Sequence, residues 1–302
     1  MIGIIFKFLL NARILLDSNL EKYRKNTTLK FPRKNFPLQN KSDILKYRFR
    51  QKWEFLAMEN VGQEETVKIR YSELDFDKSV KPSSLLNFFQ DIAVDNANRL
   101  GFGADNLSAQ KLLWFLLKYR IEFSEYPVDV DELTIKTEPR GYHRMFAYRN
   151  FEIFSGAKQI ARASTLWSLF NYETKSIASI ESVIQSPYLV KFVAGEKDLT
   201  FAKIPPLTKT DYQKEFEVRY NDIDGNRHAN NGNYIIWGLE PLSYGFRKQH
   251  KLKALDIVFK KEIRYGEKLV SMVQFVERNK TVHILKNMQT DEEVCQLCCE
   301  WN

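Results

Sequence analysis

Residues 219–240, "RYNDIDGNRHANNGNYIIWGLE", bring two Asp, five Asn and one of only four His together just ahead of an apolar segment. Carboxylates and an imidazole at that density can take up and return protons, and amides can hold a polar reactant in place. The same residue types also favour turns and helix N-caps for purely local reasons, so composition leaves both readings open. A calcium loop does not fit: the EF-hand template wants Gly directly after its third ligand position, and neither register of "NDIDGNRH" offers that with the distant Glu. Nor does zinc, because His228 has no His or Cys at ligand spacing and His143, His250 and His283 lie on separate segments. No metal and no cofactor is expected, and those three His read as surface or strand residues.

The elements that must position this stretch become legible through an internal repeat. "VRYNDIDGNRHANNGNYIIWGLE" aligns with the earlier "IRYSELDFDKSVKPSSLLNFFQD", so that Arg70, Tyr71, Glu73 and Asp75 fall on Arg219, Tyr220, Asp222 and Asp224. Downstream, "IEFSEYPVDVDELTI" from Ile121 aligns with "IVFKKEIRYGEKLVS" from Ile257, and "IARASTLW" with "VCQLCCEW", pairing Trp167 with Trp301. The second copy is shorter between helix and strand, where "GFGADNLSAQK" has no full counterpart. In the first copy Leu85, Phe88, Phe89, Ile92, Ala93, Ala97 and Leu100 recur at helical spacing, with Gly101 as the stop. "ELTIKTEP", "RMFAYRNFEIF" and "ARASTLWSLF" alternate as strands, with "RGYHR" and "SGAK" as turns. The pattern is α+β: two units, each a long central helix wrapped by a curved antiparallel sheet, spanning 58–170 and 214–302 and joined by a linker over 171–213.

At 302 residues and 44% hydrophobic positions the chain has room for a large core. Its net charge of +8 is misplaced as evidence for nucleic-acid binding: residues 1–57 hold 13 Lys/Arg against 4 Asp/Glu, leaving 58–302 one charge negative. Cys295, Cys298 and Cys299 give no disulfide framework and point to a reducing compartment, with their segment reading as a strand. "MIGIIFKFLLNARILL" is broken by Lys7 and Arg13 and is too short to span a membrane. Residues 1–57 are open to three readings, an organellar presequence, a basic membrane-attracted arm or translation from an upstream start. The last is preferred, with the working protein beginning at Met58, and the extension is set aside.

The opening stretch, together with "LLWFLLKYRIEFSEYP" and "EPRGYHRMFAYRNFEIF", resembles the acyl-[acyl carrier protein] thioesterase family over roughly residues 64–302. The resemblance implies a double hot-dog fold and hydrolysis of the thioester that links a fatty acyl chain to acyl carrier protein. It places the site in the second half, where the family's Asp-x-Asn-x-His string falls on Asp224, Asn226 and His228 and a further Glu on Glu262. Plant members carry Cys just after that Glu, whereas this chain has Ile263, which removes a Cys-nucleophile scheme. Bacterial members lack a transit peptide and plant members have one, so the expected location is cytoplasmic, with a plastid as the alternative.

Thioester hydrolysis needs an activated water, a donor for the developing oxyanion and an apolar slot. Glu262 or Asp224 can serve as base, His228 and Asn226 can polarise or orient, and backbone N–H groups from Asn230 and Asn231 to Gly232 at the helix start can meet the oxyanion. The first copy has Asp77 and Ser79 where the second has Asn226 and His228, and Tyr126 where it has Glu262. If turn-making were all, the second copy would need neither His nor Glu. The aromatic face of the first helix, with Trp114 and Phe115, reads as core that also lines the acyl slot. The implied partner is acyl carrier protein, an acidic protein, for which Arg140, Arg144 and Lys251 are candidate contacts. Coenzyme A as the carrier is the rival substrate, and a non-catalytic acyl-binding module is the rival class. One chain or a homodimer fits equally well.

Overall fold

The computed structural model describes residues 61–302 apart from Gln185, Pro187 and Asn226. Expectations about residues 1–60, including the start at Met58, and about the Asn226 side chain lie outside the described residues.

The first half opens with strand β1 (Gln63–Lys68) and continues through helices α1 (Pro82–Arg99) and α2 (Ala104–Leu107) to strands β2 (Leu112–Phe123), β3 (Glu132–His143), β4 (Phe146–Ser155) and β5 (Lys158–Asn171). A short strand β6 (Ser176–Ala178) and helix α3 (Ile180–Val183) belong to the connection. The second half runs β7 (Tyr212–Glu217), α4 (Asn231–Leu239), α5 (Tyr244–Gln249), β8 (Leu252–Phe259), β9 (Lys268–Glu277), β10 (Lys280–Asn287) and β11 (Glu293–Trp301).

Ten of these strands form one path, β1-β3-β4-β5-β2-β8-β11-β10-β9-β7, with β6 added beside β5. Every pairing is antiparallel, and the order of the second half mirrors that of the first. The halves join through β2 and β8, where Tyr119 faces Ile257, Arg120 faces Asp256 and Ile121 faces Leu255. Arg120 and Asp256 occupy equivalent places in the two copies and form an ion pair at the pseudo-twofold centre.

Helix α1 forms where the sequence places it. Pro82 sits at its first turn, where a missing N–H costs nothing, and Gly101 takes φ +80° just past its end. Leu85, Phe89 and Ile92 are buried against the sheet, each contributing about 1.5–3 kcal/mol by leaving water. Phe89 stacks on Phe151 with ring centroids 4.5 Å apart, and Tyr119 meets Phe259 edge-on, so one core runs through both halves.

The second helix departs from the expected long central helix. α4 has 9 residues against 18 in α1, because Pro241 lacks the N–H that would continue the helical ladder. The chain resumes as the separate α5. The connection is also tied down more firmly than a bare linker: Asp198 accepts hydrogen bonds from Arg140 and Asn150, and Phe192 stacks on Tyr148 at 3.9 Å.

Candidate active site

The two turns predicted from the repeat share one backbone. A short 3-10 turn covers Tyr71–Glu73 in one copy and Tyr220–Asp222 in the other. In each, an acidic side chain receives the backbone N–H three residues back, Arg70 to Glu73 and Arg219 to Asp222. Leu74 bridges Val80 as Ile223 bridges Ala229. The Asp75 N–H donates to the Ser79 carbonyl at 2.7 Å, and the Asp224 N–H to the His228 carbonyl at 2.9 Å. Lys78 and Arg227 both adopt left-handed φ, at 62° and 67°. The polar turn therefore has a structural task that both copies perform.

The side chains then diverge. In the second copy His228 Nε2 stands 2.9 Å from Glu262 Oε2, with both side chains partly open to solvent. A carboxylate held there fixes the imidazole orientation and its Nε2–H tautomer. Tyr234 supports this arrangement from α4 by donating to the Lys261 carbonyl at 3.2 Å, beside Glu262. Burial drives its phenol far above the ordinary value, with the carboxylates of Glu262 and Asp224 adding to the effect. In the first copy Tyr126 occupies the place of Glu262 and donates to the Val80 carbonyl at 2.7 Å, while the Ser79 hydroxyl, in the place of His228, is buried with no hydrogen-bond partner among the described residues.

A cavity of about 200 Å³ lies between α1 and the first-half sheet. Ala93, Val94 and Ala97 of α1, Trp114 of β2 and Trp167 of β5 form its apolar wall, and Asp224 and Asn231 reach it from the second half. The two halves come this close because Gly232 has no side chain: a Cβ there would stand 2.8 Å from Asn87 Oδ1 on α1. A larger depression of about 630 Å³ on the first-half sheet, bordered by Lys136, Glu152 and Arg162, holds none of the predicted site residues.

The second half spends the corresponding space differently. Phe246 of α5 packs edge-on against Trp301, the counterpart of Trp167, and against Phe275. The same region closes over the first copy's turn, with Lys251 bonded to Asp77, Arg247 3.7 Å from Asp75, and Phe76 in ring contact with Tyr244.

Several predicted residues land elsewhere than expected. Trp114 and Phe115 belong to β2 rather than to a helix, and strand alternation turns them to opposite faces: Trp114 borders the cavity and Phe115 does not. Of the N–H groups at the start of α4, that of Gly232 is taken by Asn230 Oδ1 at 2.7 Å and that of Asn230 by the Asp222 carbonyl. The N–H of Asn231 has no acceptor among the described residues. Arg140 and Lys251 are held by Asp198 and Asp77, which leaves Arg144 of the three as the exposed turn cation. Sequence reasoning missed Arg149, a buried cation in the cavity wall, although its place among the inward-facing residues Ala147 and Phe151 of β4 is the signal that finds it.

His283 is fully buried on β10, bonded to Thr281 and the Gly238 carbonyl, and burial lowers it to about 4. The three Cys are free and buried on β11, with their thiols raised by burial. No cluster of three or more His, Cys, Asp or Glu suited to a metal occurs among the described residues, and none of their helices is long and apolar enough to cross a membrane.

Two mirrored helix-and-sheet units sharing one antiparallel sheet, with a slot under one helix and a polar turn from the other unit at its wall, define the double hot-dog class. The chain belongs to the acyl-ACP thioesterase family: the acyl-ACP thioesterase N-terminal domain matches residues 61–188 and the acyl-ACP thioesterase C-terminal domain residues 207–302. It is 24% identical to "Acyl-[acyl-carrier-protein] hydrolase FATB3, chloroplastic" of Cuphea viscosissima, over 72% of this chain and 55% of that one. It is 25% identical to "Palmitoyl-acyl carrier protein thioesterase, chloroplastic" of Arabidopsis thaliana, over 64% of this chain and 50% of that one. The chain thus spans about half the length of these curated relatives. The crystal structure of an acyl-ACP thioesterase from Bacteroides thetaiotaomicron superposes with a TM-score of 0.70, covering 81% of this chain and 99% of that one at 22% identity, and shares the fold.

Proposed function

We propose that the protein hydrolyses fatty acyl thioesters of acyl carrier protein, releasing the free acid, with the second-half turn as its catalytic site. The observation that carries this reading is the wall of the 200 Å³ cavity, where an apolar slot from one half meets Asp224 and Asn231 from the other. The acyl chain lies along α1 and the thioester stands at Asp224. Asp224 takes a proton from water, whose oxygen bonds to the thioester carbon. The carbonyl oxygen becomes negative and accepts from the Asn231 N–H at the positive end of α4. When the C–S bond breaks, the sulfur leaves as thiolate and takes a proton delivered by His228, whose ring Glu262 holds in place at 2.9 Å. The proton on Asp224 returns to His228 through solvent, so water and thioester become acid and thiol. The family resemblance gives Asn226, two residues after Asp224 in sequence, the task of orienting the water.

The three free Cys support a reducing location, either cytoplasm or plastid stroma. The reading is tested by free-acid release from acyl carrier protein and coenzyme A thioesters of matched chains. Faster release from the carrier protein thioester is expected, and release from neither would leave an acyl-binding module.

A further inference from the structure

Arg149 is a cation where the fold calls for an apolar group. It sits on the inward face of β4 between Ala147 and Phe151, is 6% exposed, and borders the acyl cavity. No carboxylate among the described residues pairs with it. Its Nη1 donates to Asn96 Oδ1 at 2.8 Å and to Thr137 Oγ1 at 3.0 Å. A guanidinium has five N–H donors, and those on Nε and Nη2 meet no acceptor among the described residues. They are not sealed inside protein either, since among the described residues the fully occluded side-chain N and O atoms without partners are the hydroxyls of Ser79 and Ser271. The remaining donors therefore open onto the cavity. Burial lowers the guanidinium to about 9, as expected for a charge lacking a counter-ion.

Its place along the slot is fixed by α1. Asn87 lies against Gly232 at the catalytic end, whereas Asn96, which Arg149 bonds, lies nine residues further along the same helix, about 13 Å at the α-helical rise. Arg149 thus meets the distal part of an acyl chain, not its reacting carbonyl. A plain hydrocarbon there leaves buried donors unsatisfied, whereas an oxygen acceptor satisfies them.

Resting on the thioesterase reading, we propose that Arg149 is a specificity-determining residue that selects acyl chains bearing an oxygen acceptor, a hydroxyl, keto or carboxylate oxygen, remote from the thioester. Carrier protein thioesters of decanoic acid, ω-hydroxydecanoic acid and decanedioic acid separate the cases, together with calorimetric binding of the free acids. The wild type should bind and turn over an oxygenated chain at least about tenfold better than the plain one. Arg149→Met should erase that ratio and Arg149→Lys should retain part of it. Equal or better handling of decanoyl by the wild type overturns the proposal, as does a preference that survives in Arg149→Met. The wild-type comparison decides the matter alone if the Met variant fails to fold. Absence of hydrolysis with every chain would sink the thioesterase reading, while the acid-binding ratio would still judge Arg149.

Discussion

Between Arg70 and Pro82, and again between Arg219 and Asn231, the chain makes one turn twice, with the same acidic cap, the same bridge and the same left-handed residue. Around that shared backbone the side chains of the two halves differ. The first keeps a long helix and an open slot but carries Ser79 and Tyr126 at its turn; the second fills its own slot region with Phe246 and carries His228 and Glu262. On the proposed reading, the first copy binds the acyl chain and the second does the chemistry. The close approach of Gly232 to Asn87 brings the two together.

The largest effect expected from breaking this comparison falls on catalysis. Asp224→Asn, which keeps the size and one acceptor oxygen of the side chain, should lower kcat/KM by about 10³-fold, equivalent to about 4 kcal/mol of barrier, with a cooperative melt retained. Steady-state release of free acid measures it, and a loss explained by unfolding would show in the melt.

Stability should respond next at His283, the buried imidazole of β10. Folding lowers the imidazole from 6.5 to about 4, so the unfolded chain binds the proton first. Stability is therefore complete above about pH 6.5, falls by up to about 3 kcal/mol as pH drops towards 4, and levels off below it. Denaturant midpoints at either end of that window, compared with His283→Gln, should show a smaller acid loss in the variant.

Phe246→Ala, which empties the half-buried filler beside Trp301, should cost about 2 kcal/mol and leave the acyl preference alone. A changed product profile would mean that the second half also holds acyl chain. The smallest effect belongs to Lys251→Ala: its pair with Asp77 is partly exposed, so no more than about 1 kcal/mol should be lost and hydrolysis should persist.

How far the sequence carries this account differs by element. The turn register was readable because the repeat aligns Asp75 with Asp224 without a gap, and backbone bonds follow that register. The break after α4 falls at Pro241, a residue the sequence analysis did not weigh. Trp114 and Phe115 were misplaced onto a helix because a continuous apolar run lacks the period that separates strand from helix. The capping of Gly232 by Asn230, and the capture of Arg140 and Lys251 by distant carboxylates, depend on contacts across the fold that spacing does not encode. Arg149 was hidden in the same way, since its significance lies in what fails to pair with it.

The central claim, that only the second turn does chemistry, is tested most directly by giving it the first turn's side chains. The double variant His228→Ser, Glu262→Tyr should fold with a cooperative melt, as the first copy's geometry allows, and still bind free fatty acid. Its release of free acid from acyl carrier protein thioesters should fall by at least about 100-fold. Hydrolysis at the wild-type rate by a folded double variant would contradict the account.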